Sequence, residues 1–320
     1  MKLIFITGHR RSGSTLLGTL LDDLKGVCVY PGDISILYSY YPHFNNNNYS
    51  FTFKIRKIKK ILKKTLSERE KTIKKKINFE NFIKLFISKV NNKNINNIEK
   101  IIKFLISSYL KFYCKEFKKR DIKYFVFKET SCSHLVLKIN KYFNDIKFLY
   151  ILRDPRAIFS SLKSGLNIYY KEDSLILMES MIKRLSIDDQ FISFNKSFLK
   201  KKKFKIIKYE KLVDNPQKIM KEISNFISIK FDKKALIPTV LGHEAVGNNF
   251  TKKITGISKK RKFNWKKSLT FEEINVIEFF LKNYFNNFSY VLINRKIDRM
   301  AITKYYNKVN KKFFFMDRFK

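Results

Sequence analysis

Two hydrophobic periods alternate along the chain. Short apolar runs with β-branched and aromatic members, bounded by turn residues, predict strands at Leu3–Ile6, Val27–Tyr30, Tyr124–Phe127, Phe148–Leu152 and Phe204–Lys208. The fourth run is almost unbroken, as expected of a central strand buried on both faces. Between the strands, apolar residues recur at helical spacing. Leu16, Leu17, Leu20 and Leu21 open a helix just behind the first strand. Phe79, Phe82, Ile83, Phe86, Ile87 and Val90 mark a second, and Ile98, Ile101, Ile102, Leu105, Ile106, Tyr109 and Leu110 a third. Ile55, Ile58, Ile61 and Leu62 suggest one more, and Leu175–Phe198 a long helix with Met178, Met181, Ile182 and Leu185 on one face. Thr270 and Glu273 form a capping box for a last helix through Phe285. Strands alternating with helices predict a three-layer α/β/α fold around a parallel sheet of about five strands.

The pattern breaks once. Asn45–Asn48 is a low-complexity polar run, and from Lys54 to Lys119 the chain is helical and very basic. We read residues 45–120 as a helical insertion in a single domain spanning 1–320, packing on itself or over the site as a lid. Residues 295–320 form a basic, aromatic tail. It is expected to dock or fray, with contact to an anionic membrane surface as the alternative.

The turn between the first strand and its helix carries the first candidate chemistry. Gly8 to Ser14 is a polar loop that ends where a helix begins, the geometry in which backbone N–H groups converge on an anion. Gly8, Gly13 and Thr15 fall on P-loop positions, but Ser14 stands where a P-loop has lysine. Serine cannot neutralise the β- and γ-phosphates, which speaks against a kinase or NTPase. The cations sit instead at Arg10 and Arg11, whose planar forks suit a phosphate or a sulfate.

Composition sets bounds. The chain has 320 residues, 44% hydrophobic and 30% charged, enough for a sizeable core. No run approaches eighteen uncharged apolar residues, so no membrane span is expected. The first strand begins at Lys2, leaving no room for a secretory signal. Cys28, Cys114 and Cys132 are odd in number and far apart, which argues against a disulfide framework or zinc site and for a reducing cytoplasm. The formal charge of +41 suggests a polyanionic partner. Yet the lysines are spread over the whole length, among the Asn, Ile and Phe that AT-rich coding favours. No nucleic-acid module signature is present, so no specific nucleic acid is expected. A catalytically dead polyanion-binding protein is the non-enzyme alternative.

Further candidates lie at strand ends, where open α/β sheets bind ligands. Pro31-Gly32-Asp33 closes the second strand, making Asp33 either a catalytic carboxylate or the N-cap of a helix over Ile34–Tyr41. Lys128-Glu129-Thr130 leaves the third strand, and Ser131–Ser133 can cap a helix that carries His134. Glu129 and His134 are both candidate bases. After the fourth strand, Arg153 is at the ligand edge, Asp154 and Pro155 open a helix, and Ser160 and Ser161 follow two turns in. Arg153 and Ser161 could clasp a second anion.

Together these segments resemble the sulfotransferases that use 3′-phosphoadenosine 5′-phosphosulfate, nearest the bacterial and Golgi-type carbohydrate and protein-tyrosine branch. HRRSGSTLL resembles the 5′-phosphosulfate loop, RDPRAIFSSL the 3′-phosphate motif, YEKLVDNP the segment whose tyrosine lies near the adenine, and GNNFTKK with Trp265 and Leu269 the loop that closes over the nucleotide. The resemblance covers 1–41 and 121–290. It implies that Arg10, Arg11, Ser12, Gly13, Ser14, Thr15 and Leu16 hold the 5′ end of the donor. It likewise implies Arg153 and Ser161 for the 3′-phosphate, with Tyr209, Lys252 and Lys253 completing the nucleotide site. Arg11 would also stabilise developing charge, no metal would be needed, and Asp33, Glu129 or His134 would deprotonate a hydroxyl acceptor such as a saccharide or lipid. Where relatives often show Gly-Glu this chain has Gly32-Asp33, and Lys252 and Lys253 stand where arginine is common.

Overall fold

The computed structural model of the chain describes residues 1–39, 45–73, 76–118, 121–166, 168, 173–246, 255–293 and 298–317. Its elements, in order, are β1 (Lys2–Thr7), α1 (Ser14–Leu21), β2 (Val27–Asp33), α2 (Ile36–Ser39), α3 (Phe51–Ile73), α4 (Glu80–Ile87), α5 (Ile98–Glu116) and β3 (Tyr124–Lys128). Then come α6 (Val136–Tyr142), β4 (Ile146–Leu152), α7 (Pro155–Lys163), α8 (Ser174–Phe198), β5 (Phe204–Lys208), α9 (Tyr209–Asp214) and α10 (Pro216–Ile227). The chain closes with β6 (Thr239–Val240), β7 (His243–Glu244), α11 (Trp265–Ser268), α12 (Phe271–Phe280), α13 (Lys282–Asn287) and α14 (Arg299–Asp317).

Five strands form one sheet in the order β2-β3-β1-β4-β5, with every neighbouring pair parallel. β1 is central, and Phe5 lies between Phe127 and Phe148, with ring centroids 5.0 and 6.1 Å away. Continuous apolar runs suit such strands because helices cover both faces. One face packs on α1, α9 and α10, the other on α3–α5, α7, α8 and the C-terminal helices. The chain runs from β1 to β2 and β3 on one side, then crosses to β4 and β5 on the other. The switch point therefore lies between β1 and β4, where the Gly8–Gly13 loop and Arg153 emerge.

β2 corrects one expectation. Pro31-Gly32 does not end it. The strand runs on to Asp33, with an irregular register between Val29 and Asp33. Proline is tolerated because β2 is an edge strand, where one side needs no ladder hydrogen bond. Asp33 thus ends a strand and caps no helix. α3–α5 rest on this edge: the Tyr30 ring meets Tyr109 at 4.9 Å and Phe82 at 6.2 Å.

The C-terminal part differs in detail. The Thr270–Glu273 capping box forms as expected, but the helix turns at Leu281 before resuming as α13. That turn lets Leu281, Tyr284 and Phe285 all reach the core. The stretch after Gly242 contributes β7 to a short antiparallel pair and contains α11. α14 docks through Ala301, Tyr305 and Val309, and the Tyr305 hydroxyl donates to Glu179 at 2.5 Å. Among the described residues no helix is long and apolar enough to cross a membrane.

Candidate active site

The loop after β1 is shaped by two close approaches. A Cβ on Gly8 would lie 2.4 Å from the Ile151 carbonyl oxygen, and one on Gly13 2.5 Å from Tyr209 Cδ2. Neither position accepts a side chain, and Gly13 also has φ 105°. Between them Arg11 adopts a left-handed φ of 69°. Ser12 N–H donates to the His9 carbonyl at 3.0 Å, and α1 starts directly behind. The N–H groups of the first turn of α1 have no intrahelical acceptor and face the loop.

Two arginines from different strand ends meet here. Arg11 Nε donates to Ser161 Oγ at 2.9 Å. Arg153 Nη1 donates to the Arg11 carbonyl at 2.8 Å and Nη2 to the Arg261 carbonyl at 3.1 Å. The Arg153 guanidinium stacks over the Tyr209 ring at 4.4 Å. Arg11, Arg153, Ser161 and Tyr209, predicted separately, therefore form one constellation. Ser12 Oγ and Arg153 Nε are buried without a partner among the described residues. Unsatisfied donors beside a glycine cradle and several cations fit an anionic ligand.

The rest of the RDPR motif is scaffold. Asp154 caps α7 by accepting from Arg156 N–H at 2.9 Å. Arg156 is buried, bridges Asp154 at 2.6 Å and Glu278 at 2.5 Å, and lies 4.1 Å from the Trp265 ring centre. Ser160 is turned away from the loop, 2.7 Å from Ser268 Oγ. Glu210 accepts from Asp154 N–H at 3.0 Å and so ties the β4 and β5 ends together.

One cation of this cluster falls outside the sequence-based expectations. Arg261 ends a short turn over Lys259–Arg261 and lies near Tyr209 and Arg153. Burial lowers its pKa, Tyr209 opposes the shift, and Arg153's charge adds to it. It sits in a lysine-rich loop with no periodicity, so only the nearness of Trp265 signals it. Lys252 and Lys253 lie outside the described residues. Ser14 is buried at the start of α1, while Thr15 and Leu16 are half-buried, as is Arg10.

A second group of charged residues gathers at the ends of β2 and β3. Lys128 Nζ pairs with Asp33 Oδ1 at 2.8 Å. The lysine side chain is buried and the aspartate's is 25% exposed. A narrow cleft between α1 and the β2–β3 edge is lined by Thr15, Gly18, Pro31 and Lys128 among others. Glu129 is buried. Desolvation, reinforced by Asp33, raises its pKa well above the usual carboxylate range, and Oε2 has no partner among the described residues.

His134 departs from expectation. Ser133 begins a 3₁₀ turn that Cys132 leaves without a side-chain cap, and the Ser133 hydroxyl donates to Asp188 of α8 instead. His134 is exposed, its ring 6.0 Å from Phe191, with its pKa lowered by desolvation and by Arg184. His9 is wholly buried, its Nδ1 2.7 Å from the Arg10 carbonyl, and burial lowers its pKa to about 3.

The sequence profile of the Sulfotransferase family matches residues 4–233. Among solved structures, the sulfotransferase domain from the curacin biosynthetic pathway aligns with 91% of this chain and 98% of its own. It has a TM-score of 0.57 at 17% identity. The sulfotransferase domain of the Synechococcus PCC 7002 olefin synthase aligns with 91% of this chain and 95% of its own, with a TM-score of 0.55 at 17% identity. None of the curated proteins compared with the chain matches it. The profile spans more than half of the chain, the solved domains share its fold, and the chain belongs to the sulfotransferase family.

Proposed function

We propose that this sulfotransferase moves a sulfuryl group from 3′-phosphoadenosine 5′-phosphosulfate to a hydroxyl of a carbohydrate, lipid or other small metabolite. The observation that carries the reading is the meeting of Arg11 and Arg153 at the β1–β4 switch point, with Ser161, Arg261 and Tyr209 around them. A nucleotide with anionic groups at both ends needs two such clamps. When bound, the donor supplies an activated sulfuryl group that passes in line to the acceptor oxygen.

The chain's own residues then have three tasks. Arg11 and the N–H groups of Ser12 to Thr15 hold the 5′ end and offset negative charge as it grows there. Arg153, Ser161 and Arg261 hold the 3′-phosphate, while Tyr209 flanks the base. Asp33 takes the acceptor proton, with Lys128 fixing its carboxylate. Glu129 is disfavoured as base because burial keeps its proton on, which leaves His134 as the alternative base. A reducing cytoplasm is part of the same reading, supported by Cys28, Cys114 and Cys132 being free thiols.

A thermal-shift titration tests the reading. Adenosine 3′,5′-bisphosphate should raise the melting temperature, while AMP and magnesium-ATP at equal concentration leave it nearly unchanged. A larger rise with magnesium-ATP would support a P-loop kinase instead.

A further inference from the structure

Arg69 belongs to α3, whose other cations mostly face solvent, yet it is only 8% exposed. It lies in phase with Ile58, Leu62 and Leu66, all buried, so α3 turns it inward along its apolar face. Its target is the backbone of β2. A Cβ placed on Gly32 would meet Arg69 Nε at 3.5 Å, Arg69 Cγ at 3.7 Å and the Thr65 carbonyl at 3.7 Å. The arginine stem therefore passes over Gly32, the residue that precedes Asp33, with room between them for about a methyl group.

That stretch needs an external brace. β2 loses regular pairing with β3 between Val29 and Asp33, and Pro31 contributes no N–H. Pairing resumes only at Asp33, opposite Lys128, where Ile34 N–H donates to the Lys128 carbonyl at 3.1 Å. The charged groups gathered there are Asp33 of β2, Lys128 and Glu129 of β3, and Arg69 of α3. Lys128 experiences both the attraction of Asp33 and the repulsion of Arg69.

We propose that Arg69 is a positioning residue of the transfer centre. Supplied by the helical insertion, it covers Gly32 from the α3 face and so limits where the Asp33–Lys128 pair can present its carboxylate. This rests on the reading of Asp33 as the proton acceptor. The insertion then sets the geometry of the acceptor side and leaves the donor clamp untouched.

Three variants test it: Arg69→Ala, Arg69→Met, which keeps the stem, and Arg69→Lys, which keeps the charge. Amide hydrogen exchange at Ile34 and the carbon-13 titration of Lys128 Cε are read without ligand. In R69A, Ile34 exchange should rise at least about tenfold and the Lys128 midpoint move upward. R69M should protect Ile34 but still move the midpoint, and R69K should restore both. Sulfuryl transfer to 2-naphthol should lose about tenfold or more in kcat in R69A, with the donor KM within about twofold and recovery in R69K. Unchanged Ile34 exchange and Lys128 titration in R69A overturn the proposal, as does full turnover in that variant. A wild-type chain that ignores adenosine 3′,5′-bisphosphate refutes the donor reading alone, because the exchange and titration need no donor.

Discussion

Arg153 Nη1 donates to the main-chain carbonyl of Arg11 at 2.8 Å. One residue directly follows β4 and the other stands midway through the loop after β1, so the bond ties the two proposed clamps together. Arg11 in turn donates to Ser161, on the helix that Arg153 leads into. Each arginine thus holds the other's loop in shape as well as offering charge.

Arg153→Ala should therefore cost more than one phosphate contact. A charge-assisted hydrogen bond is worth about 1.5–3 kcal/mol, and the variant also frees the Arg11 carbonyl. We expect adenosine 3′,5′-bisphosphate affinity to fall at least about thirtyfold by calorimetry. Ser161→Ala should fall less, about threefold to tenfold, because Arg11 keeps its charge. Equal affinities in wild type and R153A would remove Arg153 from the site.

Gly13 and Tyr209 are coupled by space. An alanine at this glycine would place its Cβ 2.5 Å from Tyr209 Cδ2 at a φ of 105°. Both the clash and the backbone strain are unfavourable, so Gly13→Ala should lose about 2 kcal/mol or more of stability in urea melts. Adding Tyr209→Ala removes the clash and leaves the strain. The double variant should then be less destabilised than the two single effects sum to, by about 1 kcal/mol or more. Strict additivity would mean the two residues do not touch.

The two carboxylates at the proposed acceptor side should behave differently. Asp33→Asn removes the proposed proton acceptor, so kcat should drop by about 100-fold or more with donor binding intact. Glu129→Gln mimics the protonated acid that burial favours and should cost only a few-fold in rate. Stability separates them again. A carboxyl raised in the folded state stabilises below its unfolded pKa, and that contribution is lost as pH rises toward the folded value. Wild type should lose urea resistance more steeply than E129Q as pH rises above about 5. Parallel pH curves for the two proteins would contradict the raised value.

Arg156 offers a contrast with Arg153, one turn earlier in the same motif. Arg156 is enclosed by Asp154, Glu278, Trp265 and Phe285. Arg156→Met would strand two buried carboxylates, a loss of about 3–5 kcal/mol. We expect a melting temperature lower by roughly 10 °C or more and, well below that temperature, unaltered adenosine 3′,5′-bisphosphate affinity. A ligand-affinity defect with normal stability would reverse the roles of the two arginines.

How far each feature can be read in advance follows from how local its cause is. The five strands are legible because a parallel sheet covered on both faces writes itself as apolar runs. Arg11 and Arg153 are legible because each lies in a strand-to-helix turn. The last three residues of β2 are not, since Pro-Gly ordinarily reads as a turn and only the edge position of β2 permits it inside a strand. Ser133 looks like a cap because its partner, Asp188, comes 55 residues later. Arg69 does carry a signal, a charge in phase with Ile58, Leu62 and Leu66, but among so many lysines it passes as one more solvated cation. Arg261 carries almost none, because its place beside Tyr209 is set by tertiary contacts with Arg153 and α9.

Asp22, at the C-terminal end of α1, gives the cleanest test of buried charge. It is 2% exposed and accepts from Gly242 N–H at 2.8 Å. Burial, with a smaller push from Asp23, raises its pKa from 3.8 to about 6. A raised carboxyl stabilises fully below the unfolded value, so its contribution is lost as pH climbs from about 4 to about 6 and stays lost above. The shift corresponds to on the order of 3 kcal/mol. An asparagine in its place would keep the acceptor oxygen for Gly242 and discard the titration. Asp22→Asn should therefore match wild type near about pH 4 and exceed it in urea midpoint near about pH 7. Asp188, also raised to about 6, is present in both proteins and cancels from the comparison. A constant difference between the two proteins across that range would mean that Asp22 is solvated in the native chain.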